Sequence, residues 1–239
     1  MNTPKSQSRS SSPPSWKQRL IRWSLALIAI GLIGVLIVFF MIRSTPGFYR
    51  SRLDTSALVI KEGEDFETHF LDLRNDVRRE GNWSAHFTED EINHWLGNDL
   101  KDKFSSSLPA WLQEPRVELS QDEIRFGVRI QNGFFSGVAS LDVLVGEMER
   151  ANTVPLTFKS IRLGTFSIPV GWCEMAISSS LRSQNVYGTW VDSDQGRTFL
   201  MTLPTVATVD APVAHRMETN KIDVDVKEMF VEGKTTIGN

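Results

Sequence analysis

The chain has 239 residues, of which 41% are hydrophobic and 23% charged, an ordinary composition for a globular protein. Its formal net charge of −3 is unevenly distributed, because residues 1–43 hold six of the 26 basic residues and none of the 29 acidic ones. The remainder therefore carries 20 basic against 29 acidic residues, a net charge of −9. Such an acidic domain argues against a nucleic-acid partner, since phosphate binding requires basic side chains.

An uncharged stretch near the N-terminus is long enough to cross a membrane. Residues 25–42 carry no charge, and residues 23–24 extend the run to the roughly 20 residues that span a hydrocarbon core. A cleaved signal peptide is the alternative, but no A-x-A-like site follows the run, which favours an uncleaved anchor over residues 16–43. Lys17, Arg19 and Arg22 lie just before the uncharged run, so the positive-inside rule predicts a cytoplasmic N-terminus and an extracytoplasmic domain.

The segments around the anchor differ in composition. Residues 1–15 are rich in Ser and Pro and nearly devoid of apolar side chains, which predicts a disordered cytoplasmic tail. Residues 44–60 contain the breaker Pro46-Gly47 and are expected to form a connector. Residues 61–239 then form the domain.

The domain begins with helical patterns. Phe66, Phe70, Leu73 and Val77 form one stripe, which predicts a helix over residues 62–80. A second helix over residues 88–104 starts at a capping box of Thr88 and Glu91. The apolar face of this second helix comprises Ile92, Trp95, Leu96, Leu100 and Phe104.

From residue 116 the period changes to two, which is typical of strands with one dry and one wet face. Turns are predicted at residues 120–122, at Asn132-Gly133 and at residues 192–196, and a further helix over residues 171–183. Two late strands are expected at residues 198–203 and 221–227, the latter with Ile222, Val224 and Val226 inward. The predicted fold is α+β: an N-terminal transmembrane helix, then a curved antiparallel sheet with helices packed on one face.

No motif predicts catalysis. The sequence contains no G-x-S-x-G, P-loop, G-x-G-x-x-G or H-E-x-x-H pattern. His94 follows Glu91 at the E-x-x-H spacing of di-iron bundles, but a second copy is missing, so His94 is interpreted as a surface histidine. The single cysteine, Cys173, excludes a cysteine-cluster metal site and is expected to be a small buried apolar residue. The sequence thus predicts no catalytic residue, cofactor or metal.

Two segments carry a resemblance to known proteins. Residues 87–96, FTEDEINHWL, resemble the T-E-x-E-[IL]-N-x-[WL]-L entry helix of YpmS-like membrane-anchored bacterial envelope proteins. Residues 163–169, LGTFSIP, are similar to the hydrophobic-Gly-x-hydrophobic-x-hydrophobic-Pro segment of that group. The order of elements over residues 85–185 also looks like half of a tubular lipid-binding (TULIP-like) domain. That resemblance implies a long helix in a bent sheet and an apolar groove for acyl chains, and it assigns no ligand residue.

Three functions of different classes follow from these features. The first is a non-catalytic envelope protein that binds membrane lipid or another apolar ligand on the face of Ile92, Trp95, Leu96, Leu100 and Phe104. The alternative is a structural partner that scaffolds another membrane protein. An enzyme ranks third, because it would need carboxylates with raised pKa values gathered in a cleft.

Overall fold

The computed structural model describes residues 16–53, 60–100, 103, 111–133, 135–206 and 215–237. The chain divides into two compact units, residues 1–40 and 41–239. The predicted N-terminal helix is present as α1 (Trp16–Arg43), which is long and apolar enough to span a membrane. The Ser/Pro tail of residues 1–15 lies outside the described residues.

The second unit is mixed α and β, as predicted, and its main sheet has seven antiparallel strands. The strands are β2 (Leu112–Ser120), β3 (Glu123–Asn132), β4 (Phe135–Val145), β5 (Thr153–Leu163), β6 (Phe166–Ile168), β7 (Tyr187–Ser193) and β8 (Gly196–Thr202). Their order is β2-β3-β4-β5-β8-β7, with β6 paired to β5. The predicted hairpins join β2 to β3, β3 to β4 and β7 to β8.

A second sheet of three antiparallel strands was not predicted. It consists of β1 (Gly81–Thr88), β9 (His215–Asp225) and β10 (Glu228–Ile237), in the order β1-β10-β9. Buried Trp83 and Phe87 alternate with exposed residues along β1, a period of two that was available in the sequence. The prediction that Val226 points inward is wrong, since β9 ends at Asp225 and Val226 is 64% exposed in the following turn.

The helices of the domain are α2 (Gly47–Ser51), α3 (Ile60–Asp76), α4 (Glu89–His94) and α5 (Val170–Ser183). Helix α2 was not predicted within the connector. Its Tyr49 is fully buried and donates a 2.7 Å hydrogen bond from Oη to the Glu114 carbonyl. A Cβ at Gly127 would lie 2.8 Å from the Tyr49 ring, so α2 can pack on β3 because position 127 has no side chain.

The core combines residues of both sheets. Val117 and Leu119 of β2, Val145 of β4, Val154 of β5 and Val224 of β9 are all buried in one cluster. Full burial of each such side chain contributes about 1.5–3 kcal/mol. The three-stranded sheet thus covers the apolar face that the alternation of β2 to β5 predicted.

Asn152, just before β5, links the two sheets through polar contacts. Its Nδ2 donates to the Met217 carbonyl at 3.0 Å, and its Oδ1 accepts from the Thr219 backbone N–H at 2.7 Å. Asn152 is only 6% exposed and adopts a positive φ of 60°, which asparagine tolerates better than most residues. One amide side chain therefore pairs with β9 as a strand backbone would.

Candidate apolar ligand site

The start of α4 follows the predicted capping box. The Thr88 backbone N–H donates to Glu91 Oε2 at 2.8 Å, and the Glu91 backbone N–H donates to Thr88 Oγ1 at 3.2 Å. After His94 the chain continues as a π-helical turn, Trp95–Asp99, in which the Leu100 N–H bonds to the Trp95 carbonyl. The wider turn changes the direction in which its side chains project relative to a regular α-helix.

Aromatic rings from α3, β1 and the π-helical turn meet at one place. The Phe66 ring centroid lies 5.3 Å from that of Trp95 and 5.4 Å from that of Phe87. Phe70 stacks on Phe66 at 6.4 Å with an interplanar angle of 17°. Rings at these separations attract one another beyond the simple burial of their area. The three segments thus form one aromatic wall.

A cavity of about 540 Å³ opens beside this wall. This volume falls within the roughly 300–1,000 Å³ of pockets that hold small ligands. Its lining is mostly apolar, although Phe70 and Leu71 remain 53% and 51% exposed. The lining residues are Phe66, Glu67, Phe70, Leu71, Trp95 and Lys103.

The polar part of the lining is one ion pair. Glu67 Oε1 accepts a 3.1 Å hydrogen bond from Trp95 Nε1 and a second one from Lys103 Nζ. The Lys103 ammonium lowers the pKa of Glu67, with the Trp95 N–H adding to the effect, and Glu67 in turn raises the pKa of Lys103. Both groups are therefore charged at neutral pH, and Glu67 also holds the Trp95 ring in place.

The residues of the predicted apolar face are divided between two environments. Ile92 and Leu96 are partly buried and pack against the domain core, whereas Trp95 lines the cavity. Leu100 is half-buried, and Phe104 lies outside the described residues. The cavity residues that the sequence analysis did not assign come mainly from α3, although the stripe containing Phe66 and Phe70 was recognised as one helix face.

Next to this site, polar residues of α4 bind the edge of the seven-stranded sheet. Asn93 Nδ2 donates to the Val117 carbonyl at 2.7 Å, and Asn93 Oδ1 accepts from the Val117 N–H at 2.8 Å. One turn earlier, Glu89 Oε2 accepts from the Leu119 N–H at 2.7 Å. Alternate residues of a strand direct their backbone groups to the same side, so an i, i+4 pair on a helix can bind them. Helix α4 thereby covers an edge that would otherwise expose unpaired backbone groups.

Glu89 is the most deeply buried acid of this contact. Its side chain is fully buried, and its Oε1 lies 2.6 Å from an Arg52 guanidinium nitrogen. Burial raises the pKa of Glu89 above its ordinary value, against the lowering effects of the Leu119 N–H and Arg52. The Arg116 guanidinium also donates from Nε to the Arg52 carbonyl at 3.0 Å, so α2 and α4 are tied to the same strand.

The interpretation of His94 as a surface histidine is wrong. His94 is 5% exposed, and its Nε2 lies 3.2 Å from Asn98 Nδ2. It follows Asn93, whose side chain binds β2, and both residues at this end of α4 are buried in the fold. Cys173, expected to be buried, is only half-buried in α5.

Comparisons with known proteins add no assignment. No protein-family model, no curated protein and no solved structure matches this chain. Among the residues that the structure describes, no group of three His, Cys, Asp or Glu side chains is placed to hold a metal ion.

Proposed function

We propose that this chain is a single-pass membrane protein of the cell envelope whose domain holds an apolar ligand, a lipid acyl chain, in the cavity beside α3. In this proposal α1 is the anchor, the N-terminus is cytoplasmic, and the domain is extracytoplasmic and non-catalytic. The observation that carries the proposal is the aromatic, mostly apolar cavity of about 540 Å³.

The chemistry of the lining supports an acyl chain over a polar ligand. Phe66, Phe70, Leu71 and Trp95 supply a largely apolar surface, on which each buried methylene contributes about 0.8 kcal/mol. A ligand that covered Phe70 and Leu71 would also remove their exposed apolar area from water.

The ion pair suits the polar end of such a ligand. Lys103 has three N–H donors, so its ammonium can keep Glu67 and still donate to a phosphate or carbonyl oxygen of a lipid. Asp99 Oδ1 lies 3.5 Å from the same ammonium. Because two carboxylates already surround the Lys103 ammonium, the ammonium sets the direction of the ligand's polar end more than it adds to the affinity.

The test is native mass spectrometry of the full chain, purified in mild detergent from its own host's membranes. The wild-type protein is expected to carry a lipid-sized mass that survives delipidating washes. Leu71→Trp should lower that bound fraction at least about tenfold, or ~1.4 kcal/mol, because the larger ring fills the cavity. Val226→Trp is the matched control, since Val226 is similarly exposed in the turn between β9 and β10.

Two outcomes contradict this proposal. The first is a wild-type protein free of lipid, and the second is an unchanged bound fraction in Leu71→Trp. A lipid-free protein that co-purifies with a second membrane protein would favour the scaffolding function instead.

A further inference from the structure

The first two turns of α5 expose large apolar side chains. Trp172 is 80% exposed and Met175 is 85% exposed, although large apolar residues of soluble domains are mostly covered. The opposite side of α5 is already packed on the sheet, where Trp190 Nε1 donates to Ser178 Oγ at 2.8 Å. The exposed side is therefore the outer face of a docked helix.

The exposed face is also nearly free of charge. Alongside Trp172 and Met175 it carries the exposed small residues Ala176 and Ser179. The single acid of α5, Glu174, is bound by Arg197 through two hydrogen bonds of 2.6 Å. The basic residue Arg182 lies in the last turn. A face with an exposed Trp, without a free carboxylate and with one cation suits a lipid headgroup region.

The turn that precedes α5 is attached to the end of the hydrophobic segment. The Thr165 N–H donates to the Met41 carbonyl at 2.9 Å, one of the carbonyls that a helix end leaves without an intrahelical partner. Gly164 has a φ of +62°, and a Cβ at this position would collide with the Met41 carbonyl. Met41 directly follows Phe40 in the uncharged stretch of residues 25–42. The turn at residues 164–165 thus lies where the hydrophobic segment ends.

Chain length keeps α5 close to that point. Pro169, the N-cap of α5, is four positions after Thr165, a stretch of chain that can span at most ~14 Å. Trp172 and Met175 lie in the two turns that follow. A bilayer that contains α1 therefore has its surface near these two side chains.

We propose that the first two turns of α5 insert Trp172 and Met175 into the headgroup region of the bilayer that holds α1. The domain is then held at the membrane by two contacts, the covalent anchor and this apolar surface. This inference rests on the proposed function only in taking α1 as a membrane anchor, and it is independent of the lipid cavity.

The test places one fluorophore on the surface of the full chain in proteoliposomes. Met175→Cys in a Cys173→Ser background is labelled with an environment-sensitive dye, and the vesicles contain phosphatidylcholine with a nitroxide near the headgroup. Val226→Cys in the same background is the control. The label at position 175 should be quenched at least about twofold more than the label at position 226, because interfacial side chains reach only ~5–10 Å into the bilayer. Adding Trp172→Ser should reduce this quenching.

The control site lies far along the sheet from the turn at Gly164. The Lys227 N–H, next to Val226, bonds to the Leu119 carbonyl, and Leu119 pairs with Ile124 of β3. The Gly164 N–H bonds to the Val138 carbonyl, and Val138 pairs with Arg129 of β3. Positions 124 and 129 are separated by ~17 Å of strand.

Equal quenching at positions 175 and 226 would overturn the inference. So would a label at position 175 that is shielded from aqueous iodide but not quenched by the lipid nitroxide, because that result indicates a protein contact. Flotation of the same vesicles separates these results from a failure of the anchor, since a chain without a membrane-spanning helix would not float with lipid in high salt. Loss of cavity lipid in the mass-spectrometry experiment would leave the quenching unchanged.

Discussion

Replacing Asn93 by alanine removes both hydrogen bonds between its side chain and Val117 at the edge of the main sheet. The two bonds measure 2.7 and 2.8 Å, and the Asn93 side chain is buried, with 5% of the residue exposed. The substitution leaves the buried N–H and C=O of Val117 without these partners, at a cost of about 1–3 kcal/mol for each group. We therefore expect Asn93→Ala to lower the free energy of unfolding by about 2–6 kcal/mol, a large share of the ~5–15 kcal/mol typical of a folded domain.

The measurement is urea unfolding of the full chain in detergent, monitored by circular dichroism. Asn75→Ala is the matched control, because Asn75 is an exposed helical residue of α3, and its effect should stay within about 0.5 kcal/mol. Asn93→Asp should not restore stability, since its carboxylate can accept from the Val117 N–H but cannot donate to the Val117 carbonyl. Equal unfolding midpoints for Asn93→Ala and Asn75→Ala would refute the idea that these bonds hold α4 on β2.

Three further predictions concern other buried contacts and use the same unfolding assay. Burial raises the pKa of Glu89 above 4.5, so the folded state binds a proton at this carboxyl more tightly than the unfolded state does. The stability of the wild type relative to Glu89→Gln should therefore fall as the pH rises from about 4.5 through the raised pKa. A stability difference that does not change with pH would contradict this prediction. Gly127→Ala should lower the free energy of unfolding by about 1–3 kcal/mol, because its Cβ would lie 2.8 Å from the buried Tyr49 ring. The control Gly171→Ala in α5 should leave the free energy of unfolding unchanged or raise it. Equal changes in the two variants would argue against a close approach at position 127. Asn152→Ala should cost about 2–6 kcal/mol through its two lost hydrogen bonds to β9, and a loss below about 0.5 kcal/mol would show that the bonds do not join the sheets.

Local signals in the sequence predicted individual elements well. The capping box at Thr88 and Glu91 depends on residues three apart, so its chemistry is complete within one turn and appears in the structure as expected. The same holds for the uncharged run of α1. A hairpin also joins β3 to β4, but Asn132 still pairs with Phe135, so the turn starts one residue later than the predicted Asn132-Gly133 turn. In each case the deciding interaction is between near neighbours in the chain or with the solvent.

Contacts between distant segments were the part that the sequence did not predict. Strand β1 pairs with β10 across about 150 residues, and Gly81 lies opposite Thr235. The alternation of Trp83 and Phe87 was present, but nothing local indicates which strand would cover them. Strand pairing depends on long-range register, which a local pattern does not encode.

The candidate site shows the same division. The apolar stripe of Ile92, Trp95 and Leu96 was predicted to form one face, but Ile92 and Leu96 pack against the core whereas Trp95 lines the cavity. The cavity itself requires Phe66 of α3 to meet Trp95, and this contact exists only in the folded domain.

By itself, the sequence determined the apolar N-terminal helix, the α+β class and most strands of the main sheet, because hydrophobic periodicity and turn chemistry act over a few residues. Only the tertiary structure decided that Glu89, Asn93 and His94 are buried and that α3 and the π-helical turn line an open cavity. From the sequence alone a polar side chain is predicted to be exposed, because the group that it hydrogen-bonds in the folded domain cannot be identified. Here the partners of Glu89 and Asn93 are backbone groups of β2, brought to them by the fold.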